Sequence, residues 1–150
     1  MRRWLSCTFT ALALFSLPTP AGAQAAYPPG TFYVDGFPVV CGNVTFVINP
    51  YLQDVGRASP GYIELNPYYF RNLSTPLKLY WVGHECGHHV VGASESAADC
   101  WAIRTGRNQR WFPSYAFWEM IEMFRYNPGS VVHPPGPARV ENMIRCYNRR

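Results

Sequence analysis

The chain has few of the features that mark nucleic-acid-binding, membrane-spanning or repetitive proteins. After residue 25 there is no second long apolar run, so we expect no stable insertion into a membrane. The arginines are scattered rather than gathered in a basic stripe, and the formal net charge of +4 falls to about +2 without Arg2 and Arg3. Nucleic acid is therefore not an expected partner. No internal repeat or low-complexity tract is present, which excludes a solenoid.

The first 25 residues are typical of a secretory signal peptide. Arg2 and Arg3 form a basic start, residues 5–17 are apolar, and small residues at 21–23 form a cleavage site. The mature chain is predicted to begin near Gln24 or Ala26. The remaining residues, 26–150, are enough for one domain with one modest core. The sequence thus predicts an exported protein, either periplasmic or extracellular, and leaves its oligomeric state open.

Four cysteines remain once Cys7 leaves with the signal peptide. They are Cys41, Cys86, Cys100 and Cys146. An even number in an oxidising compartment predicts two disulfides, with three possible connectivities. We favour Cys86 with Cys100, which would join two neighbouring predicted helices, and Cys41 with Cys146, which would tie the chain end to the sheet. Buried free thiols are the alternative.

The spacing of the apolar residues and the positions of proline and glycine predict an α+β domain with two or three short strands beside about four helices. The segment 27–37, rich in proline, glycine and aromatics, is predicted to be an extended arm, and whether it covers a cleft is open. Strands are predicted at 39–49 and 61–66, and helices at 75–91, 94–104, 113–126 and 138–147. The second strand precedes the first helix, so its edge could bind an extended peptide.

The motif HECGH at residues 84–88 is the most informative feature of the chain. Residues four apart lie on one face of a helix, so His84 and His88 can bind one metal ion with Glu85 beside it as a base. The two histidines also fall on the inward stripe of the predicted helix 75–91. This pattern predicts a catalytic zinc site, and two core histidines with an unrelated glutamate are the alternative.

A catalytic zinc needs a third protein ligand, for which Glu95 is the candidate. In an unbroken helix Glu95 would lie about 16 Å along the axis from His84, too far to share an ion. Gly92 can end the first helix and Ser94 can start a second one that returns, which would bring Glu95 back to the histidines. Asp99, four residues on, could then accept the outer ring N–H of a ligating histidine.

The sequence offers alternatives to Glu95 as the third ligand. If Glu95 only stabilises the N-terminus of its helix, Asp99, Glu119 or Glu122 would become the ligand. The metzincin pattern requires a glycine and a further ligand at the positions of Val91 and Ser94, so it does not fit. His89 points about 100° away from His88, which favours a supporting or surface role.

Two segments resemble a known family. HECGHHVV at 84–91 and ESAADCWA at 95–102 look like the HExxHHV and ExxADCxA signatures of the neutral zinc metallopeptidases of bacteria, within the gluzincins. His133-Pro134-Pro135 with Arg139 is similar to the His-Pro and Arg element that closes the active site of HtpX-like peptidases. The resemblance covers about half of the mature chain. It implies a small zincin-like fold with one zinc ion per chain.

The resemblance also implies a reaction. A peptide or unfolded protein would be hydrolysed by a zinc-activated water, with Glu85 as the general base and His133 as the donor to the developing oxyanion. Arg139 is expected to lie in solvent, with a role in orienting His133 or a substrate carboxylate as the alternative. The competing function is a disulfide-stapled secreted module that binds zinc or the cell envelope without hydrolysis.

Overall fold

The computed structural model describes residues 24–149, so the predicted signal peptide lies outside the described residues except for its last two positions. The predicted α+β class is confirmed, with more strands than expected. The strands are β1 (Ala25–Tyr27), β2 (Phe32–Val34), β3 (Phe37–Val39), β4 (Thr45–Ile48), β5 (Gly56–Ser59) and β6 (Tyr62–Leu65). The helices are α1 (Pro67–Phe70), α2 (Thr75–Val91), α3 (Glu95–Gln109), α4 (Ser114–Phe124) and α5 (Gly136–Asn148).

The main sheet has four strands in the order β1-β4-β6-β5, and β2 and β3 form a separate hairpin. Strands β4 and β6 run parallel, while β1 and β5 pair antiparallel with their neighbours. Because β6 lies between β4 and β5, the prediction that the strand at 61–66 offers its edge to a peptide is wrong. The free edge on that side belongs to β5, whose sequence Gly56-Arg57-Ala58-Ser59 carries no clear apolar alternation.

Helix α2 lies between two hydrophobic clusters and contributes to both. On one side it packs against the sheet through Leu79, Val82 and Cys86. On the other side Leu77 and Tyr80 join the core formed by the helices α3, α4 and α5. All five of these side chains are buried. Packing on two opposite faces therefore fixes the position of α2. His84 and His88 lie in its C-terminal half.

The chain reverses between α2 and α3 as the sequence predicts. Gly92 ends α2 with a φ of 77°, in the left-handed region that favours glycine. Ser94 caps α3, since its side chain accepts a hydrogen bond from the backbone N–H of Ala97 at 3.3 Å. The bounds of α2 match the prediction, whereas α3 runs five residues further than 94–104.

Small residues allow α2 and α3 to approach closely. A Cβ at Gly87 would come within 3.0 Å of the Cα of Ala98, and a Cβ at Gly83 within 3.3 Å of the Cβ of Ala102. Gly83 and Gly87 are four residues apart, and so are Ala98 and Ala102, so each pair lies on one face of its helix. This seam determines how near the first turn of α3 lies to the two histidines.

The disulfides join Cys41 to Cys86 and Cys100 to Cys146, so the favoured pairing is wrong. Cys86 is two residues from His84 on a helix, about 200° away, and therefore faces the sheet instead of α3. Cys100 lies on the side of α3 that meets α5, where Cys146 is located. One bond fixes α2 to the segment after β3, and the other fixes the last helix to α3.

Two disulfides indicate that the protein matures in an oxidising compartment. Among residues 24–149, no helix has the length and apolar character needed to cross a bilayer.

Peptide mapping under non-reducing conditions is expected to recover Cys41 linked to Cys86 and Cys100 linked to Cys146. The two bonds close loops of 45 and 46 residues, so each should stabilise the fold by about 2–4 kcal/mol. Denaturant unfolding of the Cys41→Ser/Cys86→Ser and Cys100→Ser/Cys146→Ser variants measures the free energy of unfolding that is lost with each bond. Recovery of a Cys86–Cys100 peptide would contradict the pairing.

Candidate metal centre

Three side chains from α2 and α3 converge on one point. His84 Nε2 lies 3.1 Å from His88 Nε2 and 3.1 Å from Glu95 Oε2, and His88 Nε2 lies 3.4 Å from Glu95 Oε1. His84 is almost fully buried, while His88 and Glu95 each retain 15% of their side-chain exposure. The group could therefore hold a metal ion that remains open to solvent on one side.

The outer nitrogens of both rings are occupied by hydrogen-bond acceptors. His84 Nδ1 lies 2.9 Å from Asp99 Oδ1, and His88 Nδ1 lies 2.9 Å from the carbonyl oxygen of Gly92. A carbonyl or carboxylate oxygen can only accept, so Nδ1 of each ring carries the hydrogen. In the neutral rings Nε2 then presents a lone pair, and both lone pairs face the carboxylate of Glu95.

The spacing of these three acceptors fits a small tetrahedral cation. Ligand atoms about 2.0–2.1 Å from a tetrahedral zinc ion stand roughly 3.3 Å apart, close to the distances found here. Glu95 Oε2 is also buried without a hydrogen bond of acceptable geometry among the described residues, although His84 Nε2 is nearby. A buried acceptor and two converging lone pairs are a stable arrangement only with a positive charge between them.

Asp99 binds the outer ring nitrogen of His84, and its own carboxylate is held by Tyr80 of α2 and Arg139 of α5. Its Oδ1 accepts hydrogen bonds from the Tyr80 hydroxyl at 2.6 Å and from Arg139 Nη2 at 2.6 Å, and its Oδ2 accepts one from Arg139 Nε at 2.9 Å. Burial alone would raise the pKa of Asp99, but the hydrogen bonds from His84 and Arg139 outweigh it and lower the pKa to about 2. Asp99 therefore stays ionised and fixes the tautomer of His84.

Arg139 is buried, so the expectation that it lies in solvent is wrong. Its guanidinium carbon is 4.4 Å from the ring centroid of Phe124 and 6.0 Å from that of Trp81, and its N–H groups are directed to Asp99. Burial lowers the pKa of Arg139, but the hydrogen bonds to Asp99 outweigh this and raise it further above its usual range. The side-chain hydrogen bonds of Arg139 go to Asp99 instead of His133, so the residue orients Asp99.

Glu85 lies on the opposite side of the group, against the edge strand. It is buried, and burial raises the pKa of its carboxyl group against the opposing effect of His84 and His88. A Cβ at Gly56 would come 2.8 Å from Glu85 Cγ and 3.0 Å from Oε1, so β5 touches this side chain directly. Glycine is unfavourable inside a strand, and the close contact with Glu85 explains its presence here.

A cleft of about 1160 Å³ runs past these groups. Its walls come from β5 with the loop before it, the end of α2, the start of α3 and the loop that carries His133. His133 Nε2 lies 3.5 Å from Glu95 Oε2. The segment from Gln24 to Cys41 is not among the lining residues, so the arm does not cover the cleft.

The remaining candidates lie apart from His84, His88 and Glu95. Glu119 and Glu122 are on α4, where Glu119 accepts a hydrogen bond from Ser74 and Glu122 pairs with Arg125. His89 is exposed, with its ring nitrogen 3.2 Å from the carbonyl oxygen of Tyr62. Sequence reasoning did not predict the contacts of Tyr80 and Arg139 with Asp99 or the contact of Gly56 with Glu85. The inward stripe included Tyr80, but nothing local in the sequence connects the other two to residues 29 to 40 positions away.

Comparisons of the chain with protein-family models, with curated proteins and with solved structures gave no match.

Replacement of Arg139 by methionine should destabilise the protein by about 3–5 kcal/mol, because it leaves the Asp99 charge buried without its main partner. Looser support of His84 should also weaken metal affinity by about 10- to 100-fold. Denaturant unfolding and metal titration measure the two effects. Arg145→Met on the same helix is the control, since Arg145 is exposed and forms a surface ion pair with Glu141. Equal effects of both variants would contradict the role of Arg139.

Metal binding should release about one proton near pH 7. Burial lowers the pKa of His84, but the hydrogen bond to Asp99 and the nearby carboxylate of Glu95 outweigh it and raise the pKa to about 9. The ring is therefore protonated in the metal-free protein below that pH, and a metal ion at Nε2 must displace the proton. Affinity should then rise up to about tenfold per pH unit below pH 9.

Isothermal titration with zinc in buffers of different ionisation enthalpy measures this proton. His89→Gln is the control, because that ring lies outside the group and its loss should leave the released proton unchanged. Binding enthalpies that do not depend on the buffer would contradict the raised pKa of His84.

Proposed function

We propose that the protein is an exported zinc-dependent peptidase whose metal is held by His84, His88 and Glu95. The observation that carries this proposal is the convergence of three acceptor atoms 3.1 to 3.4 Å apart beside the buried carboxyl group of Glu85. Two histidines, one carboxylate and one open position are the ligand set of catalytic zinc sites. A structural site would have no need of a base between its ligands.

A zinc ion bound there would supply a Lewis acid that polarises a carbonyl group and lowers the pKa of a water molecule. Glu85 would accept a proton from the attacking water and later deliver it to the leaving amine. Burial moves the pKa of Glu85 upward, towards neutral pH, and a carboxyl group with such a pKa is suited both to accept and to deliver the proton. His133, on the opposite wall of the cleft, would donate its N–H to the developing oxyanion.

The edge strand β5 supports a peptide as the substrate. Val55 and Asn66 form a hydrogen-bonded pair, since the N–H of Asn66 reaches the carbonyl of Val55 at 3.0 Å. Hydrogen-bonded and open pairs alternate along antiparallel strands, so Gly56 and Ala58 direct their N–H and C=O groups away from β6. Both residues line the cleft, where an extended chain could pair with these groups as an added strand.

The resemblance of residues 84–91 and 95–102 to the neutral zinc metallopeptidases of bacteria points the same way. The two disulfides and the signal-like first 25 residues support export to the periplasm or the extracellular space. Only six residues separate His88 from Glu95, which leaves little chain between them to form a deep specificity pocket. We therefore propose unfolded proteins or flexible peptides as the substrate class.

Glu85→Ala and the isosteric Glu85→Gln should keep zinc but lose hydrolysis by about 10²- to 10⁴-fold, because only the proton acceptor is removed. Metal analysis of the purified protein and chelator-sensitive cleavage of an unfolded protein measure both properties. Glu122→Gln, an exposed change on α4, is the control.

Cleavage retained in the Glu85 variants would remove this residue from the mechanism. One bound zinc without any cleavage by the unaltered protein would instead support the zinc-binding module as the function. Loss of zinc in Glu85→Gln would show that Glu85 supports metal binding rather than proton transfer.

A further inference from the structure

The loop that carries His133 is closed by its own hydrogen bonds. The N–H of Gly129 reaches Asn127 Oδ1 at 2.8 Å, the N–H of Ser130 reaches the carbonyl of His133 at 2.9 Å, and the N–H of Gly136 reaches the carbonyl of Asn127 at 2.8 Å. Gly129 has a φ of 80°, which a side chain would disfavour. The loop therefore holds a defined shape without help from a bound substrate.

Ser130 makes three contacts within this loop through one oxygen atom. Its Oγ accepts hydrogen bonds from the backbone N–H of Val132 at 3.3 Å and from that of His133 at 3.1 Å. The same Oγ lies 3.2 Å from His133 Nδ1. A hydroxyl has two lone pairs and one hydrogen, and here the two backbone groups use both lone pairs. The single hydrogen is left for the third contact.

The hydroxyl of Ser130 must therefore donate to Nδ1, and Nδ1 must present its lone pair. A neutral imidazole has one N–H, so the hydrogen of His133 lies on Nε2. His133 belongs to the lining of the cleft, and its Nε2 faces the carboxylate of Glu95 at 3.5 Å, a negative group beside which an N–H is favoured over a lone pair. The contacts on the two sides of the ring thus agree on a single tautomer.

We propose that Ser130 is a positioning residue that holds His133 as an Nε2–H donor facing the cleft. This inference rests on the proposed function where it concerns the reacting carbonyl. An oxyanion is stabilised only by a donor, and the other tautomer would turn a lone pair towards it. Ser130 would thus act on the reaction through His133 without touching the substrate.

Nitrogen-15 NMR of the histidine rings tests the tautomer directly and needs no turnover. The chain has four histidines, so His133 can be assigned by comparison with His133→Gln. At about pH 8.5, where an ordinary histidine is neutral, the unaltered protein should show hydrogen on Nε2 of His133. Ser130→Ala should show a mixture of the two tautomers, and Ser130→Thr, which keeps the hydroxyl, should restore the single form.

Kinetics supplies the second measurement. Ser130→Ala should lower kcat by about tenfold or more with little change in KM and with unchanged zinc content, because only a group used in the transition state is misplaced. Ser130→Thr should recover most of this loss. Ser114→Ala is the matched control, since Ser114 begins α4, about 15 Å along the helix from the end that leads into the loop.

An unaltered protein with hydrogen on Nδ1 of His133 would overturn the inference, and so would a Ser130→Ala variant that keeps the single Nε2–H form. Neither result would bear on whether the protein hydrolyses peptides. Absence of hydrolysis together with the expected ring spectrum would overturn the proposed peptidase and leave the role of Ser130 supported.

Discussion

The buried carboxylate of Asp99 is the interaction on which the other parts of the site depend. It receives hydrogen bonds from Tyr80 and His84 on α2 and from Arg139 on α5, while it belongs to α3. Three helices therefore meet at one ionised group that is fully shielded from water. Because a buried charge must be paired, any displacement of one helix costs free energy at this point, and the position of His84 is fixed as a result.

The two disulfides hold the same three helices by covalent bonds. One links α3 to α5, the two helices that supply Asp99 and Arg139, and the other links α2 to the segment that follows the β2–β3 hairpin. A domain of this length buries a modest core, so the two covalent links add stability that packing alone would not provide. The cleft, in contrast, is walled by an edge strand and by a loop that is closed by its own hydrogen bonds.

The sequence predicted α2, the reversal at Gly92 and the position of Glu95 because those features are local. Helix periodicity, a glycine stop and a serine cap act within a few residues of one another. It did not predict the partner of Arg139 or the cysteine pairing, which depend on how elements 40 or more residues apart pack together. Strand β5 was also missed, since Gly56-Arg57-Ala58-Ser59 has no apolar alternation and forms a strand only because β6 lies beside it.

The motif HExxH is usually written with two unspecified positions, which in this chain are Cys86 and Gly87. Neither position is free here. Cys86 is covalently joined to Cys41, and Gly87 lies so near Ala98 that a side chain would push α3 away from the histidines. A pattern search that treats these two letters as wildcards would therefore accept variants of this protein in which the helix forms but its neighbours no longer meet.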